Sequence, residues 1–515
     1  MLSTSSIRAR LAEQPEGYRI PIGRVLAIYV GLMLVVFLGS VDQTIVATAL
    51  PHIVADIGGL SQYAWIFTAY LLAATVSIPV YGKLGDVYGK RPMLLVSIAI
   101  FLIGSASCGL ARSMPMLVGF RALQGLGAGG LVPLAMATVG SVVPLRDRGR
   151  YQGFIVAAFA GGAGVGPLLG GLIVDHSSWP WIFYVNVPFG LLAMAVIFVK
   201  MSNPAKAVNR PVDWLGAATL GLTSVSLMLG LLWGGRNYAW ASPQIVGTLG
   251  AALCFAVAFT LVERRAVEPI LPFDVLKKRT VAASVASYAL GGMVMLGSIT
   301  YVPLFVQGVI GRSATESGLV LWPQFLGTSI TSFFVGHWIA RRGKLRPTAL
   351  LGPFVLTSGM VLLWRLGPGA TTGQVARATV LTGVGWGMMA QVFILSVQNA
   401  VPRSMISSAT AMMVFSRSMG AALGVAAMGA IVNHGLPPGT KLDPASLGGA
   451  HASSPALRAV LAHAITPAFF AAACFAALIL PVAAFGVANV DLRRTVDDET
   501  PPVGDVSAST IGGSS

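Results

Sequence analysis

Charged side chains set inside long apolar runs are the residues of this chain that could do chemistry. Asp42 is the one carboxylate well inside such a run, in the first of them. Burial favours the neutral form of a carboxyl and a neighbouring cation favours its charged form. Such a group can therefore hold a proton in one state of a protein and release it in another. The competing reading is a structural aspartate that caps a helix turn, helped by Thr44 and a helix end at Pro51. Arg121 stands in the fourth apolar run, ahead of Gly125-Leu-Gly-Ala-Gly-Gly130. A guanidinium does not titrate, so it either biases the protonation of a carboxylate or simply bonds backbone carbonyls. Arg417, in the thirteenth run, reads as structural, snorkelling to the basic face or supporting its own helix.

A second kind of chemistry is suggested by Gly82-Lys-Leu-Gly-Asp-Val-Tyr-Gly-Lys-Arg-Pro92. Asp86 lies between basic groups in what reads as a short loop, with Gly82 and Gly89 permitting a tight turn. Asp86 can pair with a basic group such as Lys90 or Arg91, or with a helix N-terminus, in one conformation and release it in another. Other chemistries find no support. The run at 125–130 fits G-x-G-x-x-G, but no strand precedes it, so close helix packing is the reading and not a dinucleotide site. There is no Walker phosphate loop. The histidines at 52, 176, 337, 434, 451 and 463 form no ligand-spaced cluster, and Cys108, Cys254 and Cys474 lie in separate runs, so no metal or other cofactor is expected.

The elements that carry these residues follow from composition. Of 515 residues, 55% are hydrophobic and 10% charged, against about 25% charged in a soluble domain. A membrane-spanning helix needs about 20 apolar residues, and the pattern predicts an all-α polytopic membrane protein. Its spans fall near 25–49, 62–82, 92–111, 115–142, 151–173, 181–200, 213–233, 244–262, 281–308, 317–339, 348–365, 375–399, 408–433 and 465–488. The net charge of +16 comes from short basic groups between apolar runs, which marks cytoplasmic loops and argues against a nucleic-acid partner. With both termini cytoplasmic, 25 of the 34 Lys and Arg fall on the inner side, 7 on the outer side and 2 within spans. The segment 434–464 reads as a mobile outer loop with a short helix near Pro455–His463, and the tail from Asp491 as disordered.

The 82–92 segment resembles the signature loop of the major facilitator superfamily. A degenerate copy, Gly336-His-Trp-Ile-Ala-Arg-Arg-Gly343, keeps the glycine spacing with Ala340 in place of the aspartate, so its latch is expected to be weaker or absent. Arg377 with Gly383 and Gly385 faintly echoes Arg121 with Gly125 and Gly127. Repetition implies two six-helix halves, 24–200 and 263–488, joined by two inserted helices in 201–262, with tails at 1–23 and 489–515. Gly153, eight residues, Gly162, three residues, Gly166-Pro167, two residues and Gly170-Gly171 match the antiporter motif of drug–proton exchangers. From the residues alone, this is a kinkable helix or ordinary small-residue packing. Val41-Asp-Gln-Thr-Ile-Val-Ala-Thr-Ala-Leu-Pro51, Trp65-Ile-Phe-Thr-Ala-Tyr70, Trp181-Ile-Phe-Tyr-Val-Asn-Val-Pro-Phe-Gly190 and Ser416-Arg-Ser-Met-Gly420 are similar to the fourteen-span drug:proton antiporter subfamily.

That resemblance implies a multi-pass exporter of the cytoplasmic membrane, driven by the proton-motive force without a cofactor, acting as a monomer on lipophilic small molecules. It assigns proton coupling to Asp42 and relay to Arg121. Extra membrane acids accompany divalent substrates in the related antiporters, and 319–340 holds no Asp or Glu. Monovalent cations or neutral amphiphiles are therefore expected. Tyr301, Gln307, Trp322, Phe325 and Gln391 are candidates to line the cavity, with lipid-facing anchoring the alternative for each. A dedicated exporter of one metabolite, lipid or antibiotic would share every motif. A lipid-modifying enzyme would need a cluster of polar catalytic residues that the sequence lacks.

Overall fold

The computed structural model describes residues 22–59, 62, 64–143, 145–202, 212–235, 237–271, 273–436 and 455–487. In hydrocarbon every backbone N–H and C=O must be satisfied internally, so long apolar runs become helices. Fourteen described helices are long and apolar enough to cross a membrane. They are α1 (Ile22–Ile57), α2 (Ala64–Val87), α3 (Lys90–Gly109), α4 (Met114–Val142), α5 (Leu145–His176), α6 (Trp181–Lys200) and α7 (Trp214–Trp233). The rest are α8 (Pro243–Glu263), α9 (Arg279–Phe305, extended by a π turn at Val306–Ile310), α10 (Trp322–Arg342), α11 (Arg346–Trp364), α12 (Thr372–Ala400), α13 (Ile406–His434) and α14 (Pro455–Gly486). Apart from one bridge between Gly234 and Tyr238, the described residues form no β pairing.

Each predicted span overlaps one helix, but several helices run further than their apolar runs. Hydropathy marks the thickness of hydrocarbon, whereas a helix continues into the interface for as long as its hydrogen bonds do. α1 passes through Pro51 to Ile57, so Pro51 is not a terminus. The helix expected near Pro455–His463 is the first part of α14. The 82–92 segment is also corrected: Gly82–Val87 is the last turn and a half of α2, and only Tyr88 and Gly89 separate it from α3. Gly89 turns the chain with φ 96°, and Gly343 does the same after α10 with φ 71°. Residues 437–454 of the predicted outer loop and both predicted tails, apart from residues 22 and 23, lie outside the described residues.

The sequence echo between the two parts of the chain is a packing echo. Gly125 of α4 abuts the Tyr70 carbonyl of α2, and Gly383 of α12 abuts the Gln324 carbonyl of α10. Gly127 meets the backbone of α3 at Phe101, and Gly385 meets that of α11 at Leu356. A side chain at any of these crossings would enter the neighbouring backbone, which is why the glycine run reads as helix packing. α1–α6 pack chiefly on one another, as do α9–α14. α7 and α8 pair, and α7 also leans on α2 and α13, where Leu72, Met228 and Ala422 are buried together.

Candidate functional site

The polar centre of the first six helices is built around Asp42. Its side chain and that of Arg121 are completely inaccessible, and Arg121 Nη1 donates to Asp42 Oδ2 at 2.7 Å. Asp42 Oδ1 accepts from Gln124 Nε2 at 2.8 Å and from Asn186 Nδ2 at 2.9 Å. Arg121 also donates to Gln124 Oε1 (2.6 Å) and to the Ile66 carbonyl (3.3 Å). Its guanidinium carbon lies 4.0 Å from the centre of the Tyr70 ring. Every contact to the carboxylate comes from a donor; Oδ1 already accepts two, so a proton there would cost one of them, whereas Oδ2 accepts only one among the described residues and keeps a lone pair free. Arg121 Nη2 and Asn186 Oδ1 are buried without a hydrogen-bond partner among the described residues.

Four separate stretches meet here. Asp42 comes from α1, Ile66 and Tyr70 from the start of α2, Arg121 and Gln124 from one face of α4, and Asn186 from α6. The sequence singles out Asp42 and Arg121 but not their mutual pairing. Gln124 was legible as a neighbour, three residues from Arg121 and so on the same face. Asn186 and Tyr70 carry no such local signal.

Asp86 forms the second constellation. From the end of α2 it accepts the backbone N–H groups of Ser407 (2.9 Å) and Ser408 (2.8 Å) and the Ser408 hydroxyl (2.7 Å). These N–H groups lie in the first turn of α13, which has no side-chain cap of its own. A carboxylate there meets unsatisfied donors and the positive end of the helix dipole. Gly82 packs on the Ser407–Ala411 face of the same helix. Lys90 lies within electrostatic reach of Asp86. Arg91 points elsewhere, donating to the Phe198 carbonyl of α6 at 2.7 Å. The degenerate copy makes the related contact: Gly336 of α10 crosses Gly149 of α5 backbone to backbone, with Ala340 supplying no acceptor side chain. Gln152 of α5 donates to Gln398 of α12 at 2.8 Å, and Gln398 to Thr410 of α13 at 3.0 Å. At the basic end, therefore, the two groups of helices are closed on each other.

The motif glycines of α5 divide between two neighbours. Gly162, Gly166 and Gly170 face α1 at Phe37–Ser40, Val41–Thr44 and Ile45–Thr48, while Gly153 faces Ser332 and Gln391 on the other side of the seam. Gly171 has open space, and Pro167 sits inside the helix. The proposed cavity set is split too. Phe325, half-buried, faces Gly164 across the seam, and Trp322 is half-buried at the start of α10. Tyr301 is buried and donates to the Val425 carbonyl (3.1 Å), Gln307 donates to Ser317 Oγ (2.8 Å), and Gln391 is buried against the Ser332 carbonyl (2.9 Å). Those three bind helices together. Arg417 also differs from expectation: it lies in mid-helix, half-buried, with its guanidinium 5.5 Å from the Phe159 ring of α5.

A fourteen-helix bundle with repeated crossings, a buried ion pair in one half and a capped helix joining the halves at one end is built as a membrane transporter and not as an enzyme. A model of the Major Facilitator Superfamily matches residues 32–425, and the chain belongs to that family. It is 36% identical over 405 residues to Multidrug transporter protein MdtP of Bacillus subtilis (strain 168), covering 78% of this chain and 74% of that one. It is also 36% identical over 405 residues to Multidrug resistance protein 3 of the same organism, covering 78% and 79%. Among solved structures, the proton:xylose symporter XylE aligns with a TM-score of 0.63 over 92% of this chain and 98% of that one, at 13% identity. That last likeness concerns the fold.

Proposed function

We propose that this transporter exports lipophilic small molecules from the cytoplasm in exchange for protons, as a monomer in the cytoplasmic membrane with its basic end inward. The observation that carries the reading is the Asp42–Arg121 pair, a carboxylate sealed from water at 0% exposure and held only by donors. Protonation there removes the charge that holds Arg121, freeing its guanidinium to seek other partners. A local proton event thereby becomes a change in how α1, α2, α4 and α6 pack. The halves 24–200 and 263–488 then rock about the seam, with α7 and α8 as an insert. Relatives named as multidrug transporters support efflux of drug-like compounds, and basic loops on one side support the orientation. The lack of acids on α10 favours monovalent cationic or neutral amphiphiles over dications.

The energetics suffice. One proton crossing roughly 150 mV yields about 3.5 kcal/mol, enough for a gradient of a few hundredfold in a neutral substrate. The test is ethidium efflux from energised vesicles, wild type beside Asp42→Asn, with and without a protonophore. Loss of efflux on both treatments is expected. Protonophore-sensitive efflux that survives Asp42→Asn would move coupling to another residue, and no efflux from folded wild type would turn the reading to a dedicated exporter.

A further inference from the structure

Arg417 is a charged residue in the membrane that the coupling pair and the latch leave unused. It lies 11 residues into α13 from Ile406, or about 16 Å along the helix axis, too deep to reach the basic face. Its side chain leaves the last group of helices and ends over Phe159 of α5, in the first group, so it stands in the seam between them. Behind it, Gly292 of α9 packs on the Arg417 backbone. Tyr288, one turn earlier on α9, is within electrostatic reach and stacks on Trp386 with ring centres 5.4 Å apart.

No hydrogen bond or ion pair reaches this guanidinium among the described residues, whereas Arg121 is fully engaged with Asp42 and Gln124. Acids from elsewhere are not at hand. Asp42 and Asp86 are committed to the contacts above, and the other described Asp and Glu residues lie at or beyond helix ends. A cation half-buried in mid-helix without a counter-ion is costly in a membrane and marks a pathway. A planar guanidinium suits an oxyanion, which it can hold through two parallel N–H bonds.

We propose that Arg417 is a substrate anchor that takes the acidic group of an amphiphile, a sulfonate or carboxylate, while the ring of Phe159 meets its aromatic body. This rests on the export reading and extends its substrate class to acidic amphiphiles, with cations disfavoured at this position. Expulsion of an anion from a compartment that is negative inside runs with the potential, in the same electrical sense as proton entry.

The experiment uses two probes that share one ring system. Anilinonaphthalene sulfonate carries the acid, and N-phenylnaphthylamine lacks it. Proteoliposomes of the full chain with an imposed proton gradient are assayed as wild type, Arg417→Gln and Arg417→Lys. Wild type is expected to move both probes. Arg417→Gln should slow the sulfonate by about tenfold or more, the loss of one charge-assisted contact, while the neutral probe stays within about twofold. Arg417→Lys, which keeps the charge but not the two-pronged fork, should restore part of the sulfonate transport. Equal loss of both probes in Arg417→Gln would make the residue a structural clasp on Phe159 and overturn the proposal. Wild type that moves the neutral probe but not the sulfonate would overturn it while leaving export standing. Wild type that moves neither probe would turn the reading to a dedicated exporter and overturn this proposal with it.

Discussion

Asp86→Asn tests the closure at the basic end. The carboxylate accepts three bonds from the first turn of α13, at 2.7, 2.8 and 2.9 Å. Asparagine keeps one acceptor oxygen but turns an amide N–H₂ toward donors, so at least one charge-assisted bond is lost and the helix dipole loses its counter-charge. Bonds to charged groups are worth about 1.5–3 kcal/mol, and a charge at a helix terminus adds about 0.3–1 kcal/mol. The combined weakening of the closed state is about 3 kcal/mol, roughly a hundredfold in the equilibrium between closed and open basic ends. The assay is the distance between spin labels at Tyr88→Cys and Lys344→Cys, both exposed at that end and on opposite sides of the seam. The exposed native thiols Cys254 and Cys474 are first replaced. Wild type should give one short distance, and Asp86→Asn a second, longer population of comparable size. An unchanged distribution would refute the argument that this cap holds the end shut.

Further outcomes follow from the same geometry. Asp42→Asn strands Arg121 in a site of 0% exposure and should lower stability by about 3–5 kcal/mol. Adding Arg121→Gln should return much of it by thermal unfolding, without restoring proton-driven efflux; an equally unstable double variant would show that the charge was not the cause. Gly170→Ala drives a methyl into Thr48 and the Ile45 carbonyl, whereas Gly171→Ala meets nothing. The first should cost about 1–3 kcal/mol and the second stay within about 0.5 kcal/mol, so equal melting shifts would refute the assigned faces of α5. Gln152→Ala removes the 2.8 Å bond to Gln398 and should move the spin-label populations in the same direction as Asp86→Asn, by about fivefold; no movement would place that bond outside the closure.

Composition and spacing alone determined that the chain is a bundle of fourteen membrane helices, because run length and charge distribution depend on the bilayer and not on which helix touches which. They also picked out Asp42 and Arg121, since a charge is conspicuous in an apolar run, and Asp86 from its setting between glycines and basic groups. Only the tertiary structure decided what those charges meet. Ser407 and Ser408 lie more than 300 residues from Asp86 and supply mainly backbone N–H groups, which every residue possesses and no sequence advertises. Asn186 reaches Asp42 from 144 residues away, and Arg417 looks like an ordinary snorkelling arginine until α5 is seen to bring Phe159 to its tip. Gln391 and Tyr301 look like cavity walls in the sequence, and only the fold shows each donating to a carbonyl of a neighbouring helix. Side-chain type and helical period are local properties, so the chain displays them; the choice of partner is made where helices cross, and there the distance along the chain carries no information.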